Sequence, residues 1–359
     1  MTDKSLELDP GFIDAEDIVA KLHFLEHMES RWPYGPAKGF PLATRVTRSL
    51  TSLPREFSEF ALAVFANVVY LPGTLLRESW SFLAEKIAQR QDTSVHDLIE
   101  NCHLLEVDPS GLIRDFLHEN RVEGRLDTDR FSRLQSIEEL ARYLLLLAES
   151  DSPKGSEARE IRLAFSKRYW LVLTDNVLSG TSLESDLTRC QRLIPAYADL
   201  GTPTLIPVAQ VFTSTAAEYL PEGLEVTFAL YFDEQFRVAP DNEECTLFGG
   251  KETLEGIVRL SRWLASQESF AKDELLLPTL AKSGDDMALG FKAGGWTIVT
   301  PNCPTNSLPI LWYARAGVYE GPFPRIMSRT SQARGVGEEL TDAAVDAAPQ
   351  VLARLGGAD

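Results

Sequence analysis

From about residue 137, apolar runs short enough for strands alternate with segments of helical period. That alternation limits the fold more than any other feature of the chain. The runs are ARYLLLLAE (141–149), YWLVLTD (169–175), TPTLIPVAQVF (202–212), LEVTFALYFD (224–233) and GGWTIVTP (294–301). Helical patterns stand between them: GSEAREIRLAFSKR (155–168), LESDLTRCQRLIPAYADLG (183–201) and KETLEGIVRLSRWLASQ (251–267). Strands separated by helices are read as a parallel sheet, because a helical crossover returns the chain to the same end. The runs are apolar almost throughout rather than at alternate positions, so both faces of the sheet are expected to be covered. The expected fold class is α/β, a doubly wound, mainly parallel sheet over residues 137–330.

Upstream, residues 1–136 read as an all-helical N-terminal region. Asp14 can cap a helix in which Ile18, Leu22, Leu25 and Met28 recur at spacings of three and four. After the Pro/Gly-rich connector WPYGPAKGFP (32–41), Pro54 opens the run EFSEFALAVFANVVYL. TLLRESWSFLAEKIAQR (74–90) keeps a 3.6 period through Leu76, Trp80, Leu83 and Ile87, and DTSVHDLIENCHLL (92–105) reads as a shorter helix. Residues 106–136 read as an irregular connector with a short helix. The Ala-rich end, 331–359, is expected to be a peripheral helix or a frayed tail.

A net charge of -18 argues against general nucleic-acid binding, which needs cations to displace counterions from phosphate. The four cysteines, Cys102, Cys190, Cys245 and Cys303, lack the spacing of a zinc site or a disulfide framework and read as free thiols. The start MTDKSLELDPGF has no apolar leader core, and no run reaches the ~20 apolar residues of a membrane-spanning helix. A cytoplasmic protein without membrane contact is expected. GGKET (249–253) lacks a full phosphate-loop pattern and is read as the start of a surface helix. Asp285-Asp286 reads as a solvated turn, and His23 and His27 as surface or packing residues.

In an open parallel sheet, ligands collect at the carboxyl ends of the strands. Two loops there carry polar residues: SDSPKGS (150–156) and TDNVLSGTS (174–182). Ser179, Gly180, Thr181 and Ser182 fall where a helix begins. Its first N–H groups lack internal partners, and its dipole favours an anion. Asp175 and Asn176 precede this turn and could hydrogen-bond a vicinal diol. Diol and phosphate together describe a phosphorylated ribose. The alternative is local: Asp175 could cap the following turn and bind nothing.

Asp175-Asn176, two apolar residues and the Ser179-Gly180-Thr181 loop resemble the ribose-phosphate motif of type I phosphoribosyltransferases, which has an acidic pair, two apolar residues and a Thr/Ser-Gly-Thr/Ser loop. The segment ALGFKAGGWTIVTPNCPTNSLPILWYARAGVYEGPFPR (288–325) is similar to the C-terminal block of phosphoribosyltransferase-like effectors of bacterial conflict systems, some of them retron-associated. That block places Asn302, Pro304, Asn306, Leu308, Pro309, Trp312 and Phe323-Pro324-Arg325 in family order. The resemblance covers roughly residues 135–328. It implies a type I phosphoribosyltransferase-like fold and a role in anti-phage defence. Asp175 and Asn176 would hold the ribose as the catalytic pair, with Asp175 as the metal ligand. Ser179 to Ser182 would take the 5-phosphate, and Lys154-Gly155 the pyrophosphate. Asn306, Trp312 and Arg325 would lie on the base side, or serve structural roles. Magnesium is the expected cofactor.

Two departures stand out. The second acid of the motif is Asn176, and the loop is one residue shorter than usual. An amide bonds a hydroxyl but brings no charge to a metal. Two functions therefore stay open: a transferase or glycosidic-bond-cleaving enzyme acting on a ribose 5-phosphate or nucleotide, and a catalytically silent nucleotide sensor or scaffold. In the second, the N-terminal helices would bind a protein partner of the defence system.

Overall fold

The computed structural model describes residues 23, 42–71, 73–107, 111–122, 132–149, 155–178, 180–239, 242, 250–267, 288–290, 294–295, 297–299, 307–315, 319–323 and 334–356. Asp14, Ile18, Leu22, Leu25, Met28, the 32–41 connector and Asp285-Asp286 lie outside them.

The chain runs α1 (Leu42–Ser52), α2 (Arg55–Asn67), β1 (Val69–Leu71), α3 (Gly73–Arg90), α4 (Val95–Glu100), β2 (Cys102–Glu106), α5 (Leu112–Glu119), α6 (Ile137–Glu149), α7 (Gly155–Ser166) and β3 (Tyr169–Val177). It continues through α8 (Thr181–Ala196), β4 (Thr204–Thr213), α9 (Ser214–Ala217), β5 (Thr227–Phe232), α10 (Lys251–Ala265), β6 (Thr297–Val299), α11 (Pro309–Trp312), β7 (Ala314–Arg315), β8 (Tyr319–Glu320), α12 (Arg334–Asp346) and α13 (Ala348–Gly356). Two units divide it: Met1–Gly73 with Phe232–Ile326, and Thr74–Tyr231 with Met327–Asp359.

The second unit is built on a four-stranded sheet in the order β2-β3-β4-β5. β2 and β3 pair in parallel from Cys102↔Tyr169 to Glu106↔Leu173, and β3 and β4 from Tyr169↔Thr204 to Val177↔Phe212. Alternating side chains divide between two cores. Leu105, Trp170, Val172 and Ala209 pack with α6, α7, α8, α12 and α13. Leu104, Tyr169, Leu171, Leu173, Ile206 and Val208 pack with α3, α4 and α5. Covered on both faces, β3 and β4 need no polar alternation, which is why they read as continuous apolar runs, whereas β5 at the sheet edge is only partly buried.

In the first unit, α2 opens behind Pro54, as the sequence predicts. Its Ala61–Phe65 stretch shares a core with Ile257, Leu260 and Leu264 of α10. β1 and β6 pair in parallel in a separate two-stranded sheet. β7 and β8 form a short antiparallel pair.

Five sequence expectations are corrected. Residues 141–149 are not a strand but the body of α6. Ile137, Leu140, Ala141, Leu144, Leu147 and Ala148 are buried at helical spacing, while Leu146 is 50 % exposed. The helix begins upstream at Ser136, whose Oγ accepts from Glu139 N at 3.2 Å, while Glu139 Oε2 accepts from Gln135 N at 2.8 Å. Second, the region before 137 is not all-helical. Val69–Leu71 leaves the helical run as β1, and Cys102–Glu106 is β2, a member of the central sheet with every residue buried. Third, GGWTIVTP contributes β6, which pairs with β1 and not with the central sheet. Fourth, the Ala-rich end forms α12 and α13, which are neither frayed nor peripheral: Ala344 and Val351 are fully buried in the core of the second unit. The helix opened by GGKET is likewise α10, a core helix rather than a surface one.

Candidate functional site

β3 ends in Thr174, Asp175, Asn176 and Val177, and the chain passes through Leu178 to Gly180, which precedes α8. Gly180 is the N-cap residue in the left-handed region, at φ 78°. A Cβ on Gly180 would lie 2.8 Å from the Ala216 carbonyl oxygen and 3.1 Å from Ala216 Cα. The close approach that demands glycine is thus to the chain's own backbone. The first helical bond follows at once, Glu184 N donating to Gly180 O at 2.8 Å. Thr181 is exposed and Ser182 half-buried. Glu184, in the first turn, already places a carboxylate at this positive helix end.

Asp175 is half-buried, and its Oδ1 accepts from Asn176 N at 2.6 Å. The Asn176 carboxamide is different. Its Oδ1 and Nδ2 are both shielded from solvent and, among the described residues, neither has a hydrogen-bond partner. Such an amide carries a desolvation cost on both a donor and an acceptor. In the neighbouring strand, Gln210 donates to Ser79 Oγ at 3.2 Å and to Leu76 O, tying β4 to α3.

The β4 end holds the turn from below. Thr213 Oγ1 donates to Leu178 O at 2.7 Å and accepts from Ala216 N at 3.1 Å. The sequence reading missed this Thr213-Ser214-Thr215 stretch. A hydroxyl run directly after an apolar strand was the available signal.

Asp175, Asn176, Gly180, Thr181 and Ser182 are therefore brought together at one strand-turn-helix unit. Ser179, Lys154, Asn306 and Arg325 lie outside the described residues. Gly155 opens α7, is exposed, and has open space around its Cβ direction. It follows helix α6 rather than a strand, so the strand-end argument for Lys154-Gly155 does not hold. Trp312 belongs to the first unit, is 5 % exposed, and donates its Nε1–H to Ser307 O at 3.0 Å. Its ring packs in the core, and its one donor is used there.

Other buried polar groups brace the second unit. Arg189 of α8 donates to Glu138 at 2.6 Å, Asp186 at 3.0 Å and Thr341 Oγ1 at 3.0 Å. Tyr197 Oη donates to Ala344 O at 2.6 Å. Burial pushes the Cys102 thiol up to about 12 and raises Cys190 as well. Both are free, buried thiols, as expected, and neither is poised as a nucleophile. Among the described residues no group of three or more His, Cys, Asp or Glu could hold a metal, and no helix is long and apolar enough to cross a membrane.

The profile of the family PRTase-CE matches residues 54–325. That is more than half of the chain, and the chain belongs to this family. Against curated proteins and against solved structures it has no significant match.

Proposed function

We propose that this member of the PRTase-CE family binds a ribose 5-phosphate group at the end of β3 and acts as a phosphoribosyltransferase-like effector in bacterial conflict, against phage and in a retron or a related system. The observation that carries the reading is the unit from Asp175 to Ser182: a carboxylate at a parallel strand's end, a left-handed glycine, and a helix whose first amides follow it. Asp175 and Asn176 would bond the ribose hydroxyls. The orphaned carboxamide offers one acceptor and donors together, and a vicinal diol presents the complementary set. The turn from Ser179 to Ser182 would take the phosphate.

The chemistry this supports is substitution at C1 of the ribose, or scission of a glycosidic bond there. Its transition state is oxocarbenium-like. Positioning and charge stabilisation would carry the rate, without a covalent nucleophile. Asp175 brings a single carboxylate, so a magnesium ion here would be held chiefly by substrate phosphates and water. For Lys154, Gly155, Asn306 and Arg325 the family resemblance is the support. Trp312, already committed to the core, is left out of the ligand set.

The second reading is a silent nucleotide sensor, favoured by the missing charge at Asn176 and by the burial of its amide. One titration separates the two. Calorimetry with ribose 5-phosphate and AMP is run on wild type and Asn176→Asp, with and without magnesium, alongside a melting curve. A magnesium-dependent enzyme gains affinity from the added carboxylate, by about 1.5–3 kcal/mol at most. A metal-free sensor loses affinity through repulsion of the phosphate. Failure of the wild type to bind either ligand at millimolar concentration rejects the ribose-phosphate site.

A further inference from the structure

The parallel register that pairs Val177 with Phe212 brings the next residues of both strands, Leu178 and Thr213, side by side. Both chains leave the sheet here: one enters α8 through Gly180, the other enters α9 through Thr213. Thr213 has extended dihedrals, φ -118° and ψ 160°, and caps α9. Its hydroxyl has one proton and two lone pairs. The proton goes to Leu178 O at 2.7 Å, and a lone pair receives Ala216 N at 3.1 Å. Ala216, fully buried, is in turn the floor against which Gly180 rests. One hydroxyl therefore fixes the β3-to-α8 turn at two points, directly at Leu178 and through Ala216 at Gly180.

We infer that Thr213 is a positioning residue for the Gly180–Ser182 turn, fixing where the first amides of α8 point, so that binding of a phosphorylated ribose there depends on a hydroxyl that never touches it. The ligand part of this inference rests on the ribose-phosphate reading above; the positioning part does not. The two bonds cannot be replaced by packing alone. Valine has the shape of threonine but neither donates nor accepts, and it would leave the buried Leu178 carbonyl without this partner. Serine keeps the hydroxyl and loses only a methyl group.

The test compares wild type, Thr213→Val and Thr213→Ser by residue-resolved amide exchange and by calorimetry with ribose 5-phosphate. In wild type the Ala216 amide exchanges slowly. In Thr213→Val, exchange at Ala216 and at Glu184, whose amide closes the first turn of α8 on Gly180 O, speeds up about tenfold or more, and ribose 5-phosphate binds about tenfold more weakly, as expected for one lost buried hydrogen bond. Thr213→Ser returns both readouts to wild type, which a purely steric role would not predict. Unchanged exchange at Ala216 and Glu184 in Thr213→Val overturns the inference. So does fast exchange at Ala216 in wild type, a reading that needs no variant to fold. If wild type fails to bind ribose 5-phosphate, the ribose-phosphate reading falls, while the exchange data still decide the role of Thr213.

Discussion

Replacing Gly180 with alanine tests the geometry of the turn directly. Two costs add. At φ 78° an L-residue sits in the left-handed region, which costs about 1 kcal/mol or more. The new Cβ also arrives 2.8 Å from Ala216 O and 3.3 Å from Tyr219 Cβ. The carbonyl cannot swing away, because it accepts from Tyr219 N at 3.2 Å and its residue is fully buried. Overpacking of this kind costs about 1–3 kcal/mol. Gly180→Ala should therefore destabilise the protein by about 2–4 kcal/mol. Gly155→Ala provides the internal control. Gly155 opens α7 with no neighbour among the described residues within 4 Å of its Cβ direction, so alanine there should be neutral or stabilising by up to about 1 kcal/mol. Urea unfolding followed by circular dichroism measures both. A loss below about 1 kcal/mol at Gly180 would mean that the turn does not rest on Ala216. The comparison also bears on ligand binding: a weaker Gly180 variant is evidence for a phosphate cradle only after its loss of stability has been subtracted.

Three further outcomes follow from the second unit. Arg189→Met removes a buried cation from Glu138, Asp186 and Thr341 and should cost about 3–5 kcal/mol in urea unfolding, because Asp186 is left buried without it; a cost under about 1 kcal/mol would mean that the network adds nothing. Tyr197→Phe strips the Ala344 carbonyl of its bond from Tyr197 Oη and should cost about 1–3 kcal/mol, with faster amide exchange along α12 as the second readout. His103 gives a pH signature: burial, and then the nearby Lys167 charge, push it from 6.5 down to about 3. The unfolded chain takes up this proton below about 6.5 and the folded one does not, so stability falls as pH drops from 6.5 towards 3, by up to about 1.4 kcal/mol per pH unit. His103→Leu should remove that part of the slope between pH 7 and 5, and an identical slope in both proteins would show that His103 is not buried in its neutral form.

How much of this could be read from the sequence depended on whether the deciding contact was local. β3, β4 and β5 were legible because each apolar run is bounded by turn residues. The run LLLL in α6 was not, since four leucines in a row satisfy a strand and a helix equally. The capping pattern Ser136-x-x-Glu139 would have decided it. β2 was hidden by the opposite fault. Its five buried residues carry no alternation, and they follow α4 with only Asn101 between. At the site, Asp175 and Gly180 were legible as types and positions. The reason for the glycine was not, because Ala216 stands on another strand's exit and only the β3–β4 register brings it there. The burial of the Asn176 amide is equally a matter of which face of a doubly covered sheet it enters, and the sequence gives no alternation from which to read that face.

The same non-local logic explains the C-terminal helices. The family match ends at residue 325, before α12 and α13, yet Ala344 and Val351 are fully buried among residues of α6 and α8. α8 begins at the candidate phosphate turn and cannot be placed by its first turn alone. It is held along its length by Arg189, which reaches Thr341, and at its end by Tyr197, which reaches Ala344. A helix end can act as a fixed anion site only if the helix behind it does not shift, because a displacement of about 1 Å already weakens oriented hydrogen bonds and catalytic alignment. Residues beyond the family match therefore belong physically to the unit that carries the candidate turn, and a shortened protein ending at 325 would expose that core and release α8. For that reason binding and activity measurements belong on the full chain.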